Sequence, residues 1–181
     1  MNEREDNLIE CLVQVDPSLS APGITADWQP NAATPYETFH RGKPFLFTTC
    51  GSRHPLETYA SFTWEQEMRE EWWTIQEGDV VVDVGSGVGS YTLAALAAGA
   101  ASVTAVDPCK EGHFVLSINL LLNGWLGRCQ NLGIMLGDRM CVGEFSPASH
   151  SARPEGRMET RPVLTLDWLS SQIFRDRLDW V

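Results

Sequence analysis

Nothing in this sequence is long and apolar enough to cross a bilayer: no hydrophobic run approaches the roughly 20 residues that a membrane helix needs. The start, MNEREDNLIE, lacks the basic and then apolar layout of a secretory signal. Together these absences lead us to expect a cytoplasmic protein with no membrane partner. Basic residues are also scarce. Thirteen Lys and Arg stand against 24 Asp and Glu, a formal charge of −11, which repels phosphate backbones over a Debye length or so and argues for no nucleic-acid partner. Cysteine is odd in number and scattered: Cys11, Cys50, Cys109, Cys129 and Cys141 never form a C-x-x-C pair, so free thiols are expected rather than a zinc or redox site. No His, Asp or Glu cluster has ligand spacing, and no metal is expected.

What is present is a globular composition. Hydrophobic residues at 43% and charged residues at 20% exclude wholesale disorder and fibrous repeats. A chain of 181 residues is the size of one domain. Residues 1–45 carry Pro17, Pro22, Pro30, Pro35 and Pro44 with little periodicity, and read as an irregular arm before a domain over 46–181. Between Glu57 and Ile75 there is no Pro or Gly, and Phe62, Met68, Trp72 and Ile75 recur at loosely helical spacing. A helix is expected there, ending before Gly78.

Beyond Gly78 the character changes. Asp79 is followed by Val80, Val81 and Val82, a β-branched run that closes on glycines, as a buried parallel strand does. After Gly89, SYTLAALAAGA combines helix formers with Gly99 at the place of a left-handed cap. SVTAVDP is a second strand stopped by Pro108, and Phe114, Val115, Ile118, Leu121 and Leu122 mark an amphipathic helix ended by Gly124. Leu132 to Leu136 reads as a third strand, SPASHSARPEGR as a surface loop, and Val163 to Trp168 as a strand leading into a helix. Strands alternating with helices imply a doubly wound parallel sheet of the α/β class, Rossmann-like, with its ligand beyond the carboxyl ends of the strands.

That places Asp83-Val84-Gly85-Ser86-Gly87-Val88-Gly89 at the site. A strand, a glycine turn and a helix let a nucleotide-like ligand approach the backbone. The dinucleotide fingerprint wants its third glycine at Ser90, whereas here it falls at Gly89, and a pyrophosphate gains nothing from the carboxylate of Asp83. S-adenosylmethionine fits better. Its ammonium group suits Asp83, and its carboxylate suits backbone N–H groups at a helix start. Asp107, ending the second strand roughly 20 residues after Gly85, can accept from ribose hydroxyls. Asp138 can accept from the adenine amino group, although Gly-Asp is also a common turn pair. The cofactor-binding set is therefore Asp83, Gly85, Ser86, Gly87, Gly89, Asp107 and Asp138, and a nicotinamide-dependent oxidoreductase is the weaker alternative.

VVVDVGSGVGSYTL, AVDP, SINLLLNG and RPVLTLDWL resemble the FkbM-type class I S-adenosylmethionine-dependent methyltransferases, from about Gly78 to Val181. The finer likeness rests on Asn119, Asn123-Gly124 and TLDWL. The resemblance implies O-methylation of a hydroxyl on a sugar or small metabolite, a small-molecule acceptor, with Asp83 and Gly85 to Gly89 around the methionine part and Asp107 on the ribose. Members commonly carry Glu at the place of Asp107 and Ala at that of Ser86. In the family a segment like RLDWV leads into further strands, so the sheet is expected to be incomplete at the carboxyl-terminal end, and a non-catalytic cofactor-binding or interaction module is the alternative. Among His40, His54 and His113 none is singled out as a base, and His113, beside Phe114, reads as structural or solvated. Glu65, Glu67, Glu70 and Glu71 read as a solvated face, and the seven tryptophans as packing.

Overall fold

The computed structural model describes residues 35–48, 66–146, 158–174 and 177–181. Tyr36–His40 (β1) and Lys43–Phe47 (β2) form an antiparallel hairpin. Its turn is Arg41-Gly42, with φ of 49° and 74°. The irregular arm expected over residues 1–45 thus ends in regular structure, and a boundary at 45 would cut through β2. Proline does not break the strand here, because Pro44 sits exposed in β2 while Phe45 and Phe47 are buried.

Gln66–Glu71 (α1) is the described part of the helix expected from Glu57, and residues 57–65 lie outside the described residues. The helix stops earlier than expected, at Glu71. Trp73 and Ile75 both have to reach the core, which alternating extended residues can do and a helical turn cannot. The Asp79 carboxylate closes the bend by accepting from the Gln76 N–H at 2.8 Å.

Val80–Val84 (β3), Ser102–Val106 (β4) and Cys129–Leu132 (β5) make a parallel sheet in the order β3-β4-β5. Between them run Ser90–Ala98 (α2) and Lys110–Leu122 (α3). Strand alternation sends Val81, Val103 and Ala105 to one face, under Leu93, Leu96, Phe114, Leu116 and Ile118 of the two helices. Val82 and Val106 face the other way and meet Leu169 and Phe174. Each such fully buried aliphatic side chain stabilises the fold by roughly 1.5–3 kcal/mol. Gly99, at φ 115°, ends α2 as its sequence position implies.

The third strand departs from expectation. Leu132 ends β5, Gly133 and Ile134 break the run, and Met135–Leu136 (β6) joins a separate sheet with Cys141–Phe145 (β7) and Glu159–Leu164 (β8), in the order β6-β8-β7. Short apolar runs do not say which sheet they enter, and β7, with Val142 exposed, has no buried alternation to announce it. Most of the expected loop, residues 147–157, lies outside the described residues. Leu166–Leu169 (α4) follows β8, with the Thr165 hydroxyl accepting from the Trp168 N–H at 3.1 Å, and continues as a wider turn over Ser170–Phe174. The chain then returns to β3 on the edge opposite β4: Trp180 bridges Val81 in parallel, and its carbonyl accepts from the Val82 N–H at 2.9 Å. Strand order therefore reverses beside β3. The molecule is a mixed α/β fold built on a parallel sheet.

Candidate cofactor site

The glycine turn lies at the carboxyl end of β3, beside this reversal, which is where open α/β sheets take their ligands. The N–H groups of Gly85 and Ser86 donate to the Val106 carbonyl at 2.8 and 3.2 Å, which fastens the turn to β4. Gly89, at φ 98°, starts α2 with no side-chain cap, and a Cβ there would collide with Leu116. Around Gly85 and Gly87 there is space instead: a Cβ on the first would meet nothing within 4 Å, and on the second only the Gly85 carbonyl at 3.9 Å. The Ser86 hydroxyl is buried and has no hydrogen-bond partner among the described residues. An open backbone cradle beside an orphaned buried hydroxyl suits a polar ligand laid against the turn.

The carboxylates sit on either side. Asp83, 7% exposed, accepts from the Thr92 hydroxyl at 2.6 Å. Burial pushes its carboxyl up to about 6; the Thr92 bonds oppose the rise, and the neighbouring negative charge of Asp107 adds to it. Asp83 thus lies under the turn rather than open to solvent. Asp107 is half-buried; its Oδ2 accepts from the Gly87 N–H at 3.0 Å and its Oδ1 from the Cys109 N–H at 2.7 Å. Asp138 is exposed between β6 and β7, and the structure does not join it to this pair.

His113 Nε2 lies 2.9 Å from the Asp107 carbonyl, which ties the ring to the backbone, as a structural reading of this residue requires. Glu65 and the Glu67 side chain lie outside what is described. Trp73, Trp125 and Trp180 pack against the core, while Trp72 is exposed. Cys109, Cys129 and Cys141 are free, and Cys11 and Cys50 lie outside the described residues. No helix among the described residues is long and apolar enough to cross a membrane.

Three residues that hold the site were not singled out for it in the sequence. Gly112 of α3 passes so close to the turn that a Cβ there would lie 2.8 Å from the Gly87 carbonyl. Asn119, fully buried, donates to the Val88 carbonyl at 3.0 Å and the Thr48 carbonyl at 2.9 Å, and accepts from the Thr48 N–H at 2.8 Å. Asn123, one turn on, pairs in the same way with Leu46. Two asparagines spaced i, i+4 on a buried helical stripe were the available signal, since buried amides require partners. A cleft of about 320 Å3, between Val80, Ser102, Arg128, Cys129, Phe174 and Arg177, lies at the other end of the strands.

No family model matches the chain, and no curated protein matches it. The solved structures similar over part of it include two methyltransferases. A Pyrococcus horikoshii protein assigned as an RNA methyltransferase is 31% identical, with a TM-score of 0.33, over 44% of this chain and 38% of that one. The M. jannaschii tRNA m1G37 methyltransferase is 20% identical, with a TM-score of 0.39, over 55% of this chain and 29% of that one. The chain thus spans well under half the length of either, and both overlaps are too partial to assign an activity. They do correct one expectation. The expected absence of a nucleic-acid partner does not stand beside these two structures, which are named as an RNA and a tRNA methyltransferase. Net charge is a property of the whole chain and does not fix what a local surface meets.

Proposed function

We propose that the chain is the cofactor-binding part of a Rossmann-like class I methyltransferase of the FkbM type, with S-adenosylmethionine as its cofactor. The observation that carries this reading is the turn itself: Gly85 and Gly87 are open-sided, the Ser86 hydroxyl is buried without a partner, and Asp83 and Asp107 flank them. A buried carboxyl favours a cationic neighbour, which the cofactor's ammonium provides and a pyrophosphate does not. In this reading Asp83 and Gly85 to Gly89 hold the methionine part, Asp107 faces the ribose, and Asp138 is the candidate on the adenine side.

When bound, the cofactor supplies an activated methyl group on a sulfonium. The protein's part is then mainly positional, since an in-line displacement with a good leaving group gains most from alignment. Acceptance by a hydroxyl oxygen is the finer form of the proposal, supported by the FkbM resemblance, and the assay panel has to include RNA beside sugars.

Calorimetric titration with S-adenosylhomocysteine tests the reading, with NAD as competitor and Asp83→Ala and Asp107→Ala as controls. Micromolar binding that both substitutions weaken is expected. A folded sample that ignores S-adenosylhomocysteine, or that takes NAD instead, would overturn it.

A further inference from the structure

We propose that Arg161 and His113 are positioning residues for the nucleoside half of the cofactor, acting through the Asp107-Pro108 corner; this rests on the S-adenosylmethionine reading above. Every polar backbone group of that corner is held. The Asp107 N–H donates to the Leu132 carbonyl at 3.1 Å. The Asp107 carbonyl can only accept, so the His113 nitrogen 2.9 Å away carries the proton and donates it. Pro108 has no N–H, and its carbonyl accepts from Arg161 Nε at 3.0 Å.

Arg161 comes from β8 in the other sheet, 53 positions along the chain, so its bond to Pro108 is a tertiary tie. The rest of its guanidinium is fixed in place. It pairs with Glu159 at 2.6 Å, donates to the Thr160 carbonyl at 2.8 Å and lies over the Phe145 ring, 5.4 Å from its centroid. With its side chain only 15% exposed, this is a braced fork rather than a mobile surface charge. The backbone that carries His113 is held as well, its carbonyl accepting from the Asn131 amide at 3.1 Å.

The Asp107 carbonyl lies in the peptide plane before Pro108 and the Pro108 carbonyl in the plane after it, so the two grips fix successive planes. The second plane carries the Cys109 N–H, which donates to Asp107 Oδ1 at 2.7 Å, and together the planes set where the Asp107 carboxylate points. The carboxylate in turn receives the Gly87 N–H, so the two donors orient both the group facing the ribose and one side of the glycine turn. The second sheet therefore contributes to the cofactor site without touching the ligand.

The test is calorimetric titration of the full chain with S-adenosylhomocysteine and with 5′-methylthioadenosine, which carries the nucleoside half alone. Arg161→Met removes the donor at similar length and is expected to weaken both ligands equally, by about tenfold. Arg161→Gln returns an N–H to the place of Nε and is expected to bind within about threefold of the parent. Equal losses in Met and Gln, or parent-like binding by Arg161→Met, would overturn the proposal while leaving the cofactor reading intact. A parent chain that binds neither ligand removes both. If Arg161→Met does not fold, His113→Phe against His113→Gln makes the same comparison, because the Gln amide sits where Nε2 was: about tenfold loss and about threefold retention support the proposal, and equal binding by the two overturns it.

Discussion

The Gly87 N–H donates to the Asp107 carboxylate at 3.0 Å, which joins the middle of the glycine turn to the end of the neighbouring strand. One carboxylate thus shapes the turn and offers its remaining lone pairs outward. Replacing Asp107 by Ala leaves the Gly87 and Cys109 N–H groups without their acceptor, at a cost of about 1–3 kcal/mol for each that stays buried. Chemical denaturation of Asp107→Ala should show that loss together with the loss of S-adenosylhomocysteine binding. Unchanged stability with lost binding would mean that Asp107 serves the ligand alone.

Gly112 gives a prediction whose sign is diagnostic. In a helix interior Ala is ordinarily favoured over Gly by roughly 0.5–1 kcal/mol. Here the added Cβ would lie 2.8 Å from the Gly87 carbonyl, which is backbone and cannot rotate away. Gly112→Ala is therefore expected to destabilise the chain by about 1–3 kcal/mol and to weaken cofactor binding by displacing the turn. A rise in melting temperature would show that α3 does not press on the turn in solution.

The strands β3 and β4, the glycine turn and the helices α2 and α3 were legible because each ends on its own stop signal. Val80 to Val82 needed no partner to be read as part of a buried strand. The hairpin β1–β2 was not legible. It is tied to the fold by Asn119 of α3 and by Asn123 at its end, some 70 residues away, whose amides pair with Thr48 and Leu46 as a neighbouring strand would. Within the site, the glycines and the strand-end carboxylates could be named from spacing alone. Arg161 could not, because its reach to Pro108 depends on how one sheet sits against another.

Asn119 supplies a third prediction. Asn119→Ala would remove the Asn119 bonds to the Thr48 N–H, the Thr48 carbonyl and the Val88 carbonyl, all in the buried interior. With about 1–3 kcal/mol for each buried bond lost, the variant should lose at least about 2 kcal/mol in urea denaturation. Asn119→Asp keeps the acceptor for Thr48 but not the donors, and should fare no better near neutral pH, since it also buries a charge. If Asn119→Ala is as stable as the parent, the hairpin is not latched to α3.

Asp83 makes the site sensitive to pH in a direction that can be worked out. Its carboxyl titrates at about 6 in the fold against 3.8 in an unfolded chain, so between those values the folded state holds the extra proton. Stability from this group is present in full below about pH 4 and is lost as pH rises to about 6, by about 3 kcal/mol at most. Asp83→Asn should lack that fall. Cofactor binding runs the other way, because an ammonium group brought to the turn favours the ionised carboxylate. S-adenosylhomocysteine affinity is therefore expected to weaken as pH drops below 6, and binding near pH 6 should release protons, detectable as a binding enthalpy that changes with buffer. A flat affinity profile from pH 5 to 8 in the parent, identical to that of Asp83→Asn, would show that this carboxylate does not meet the ammonium group.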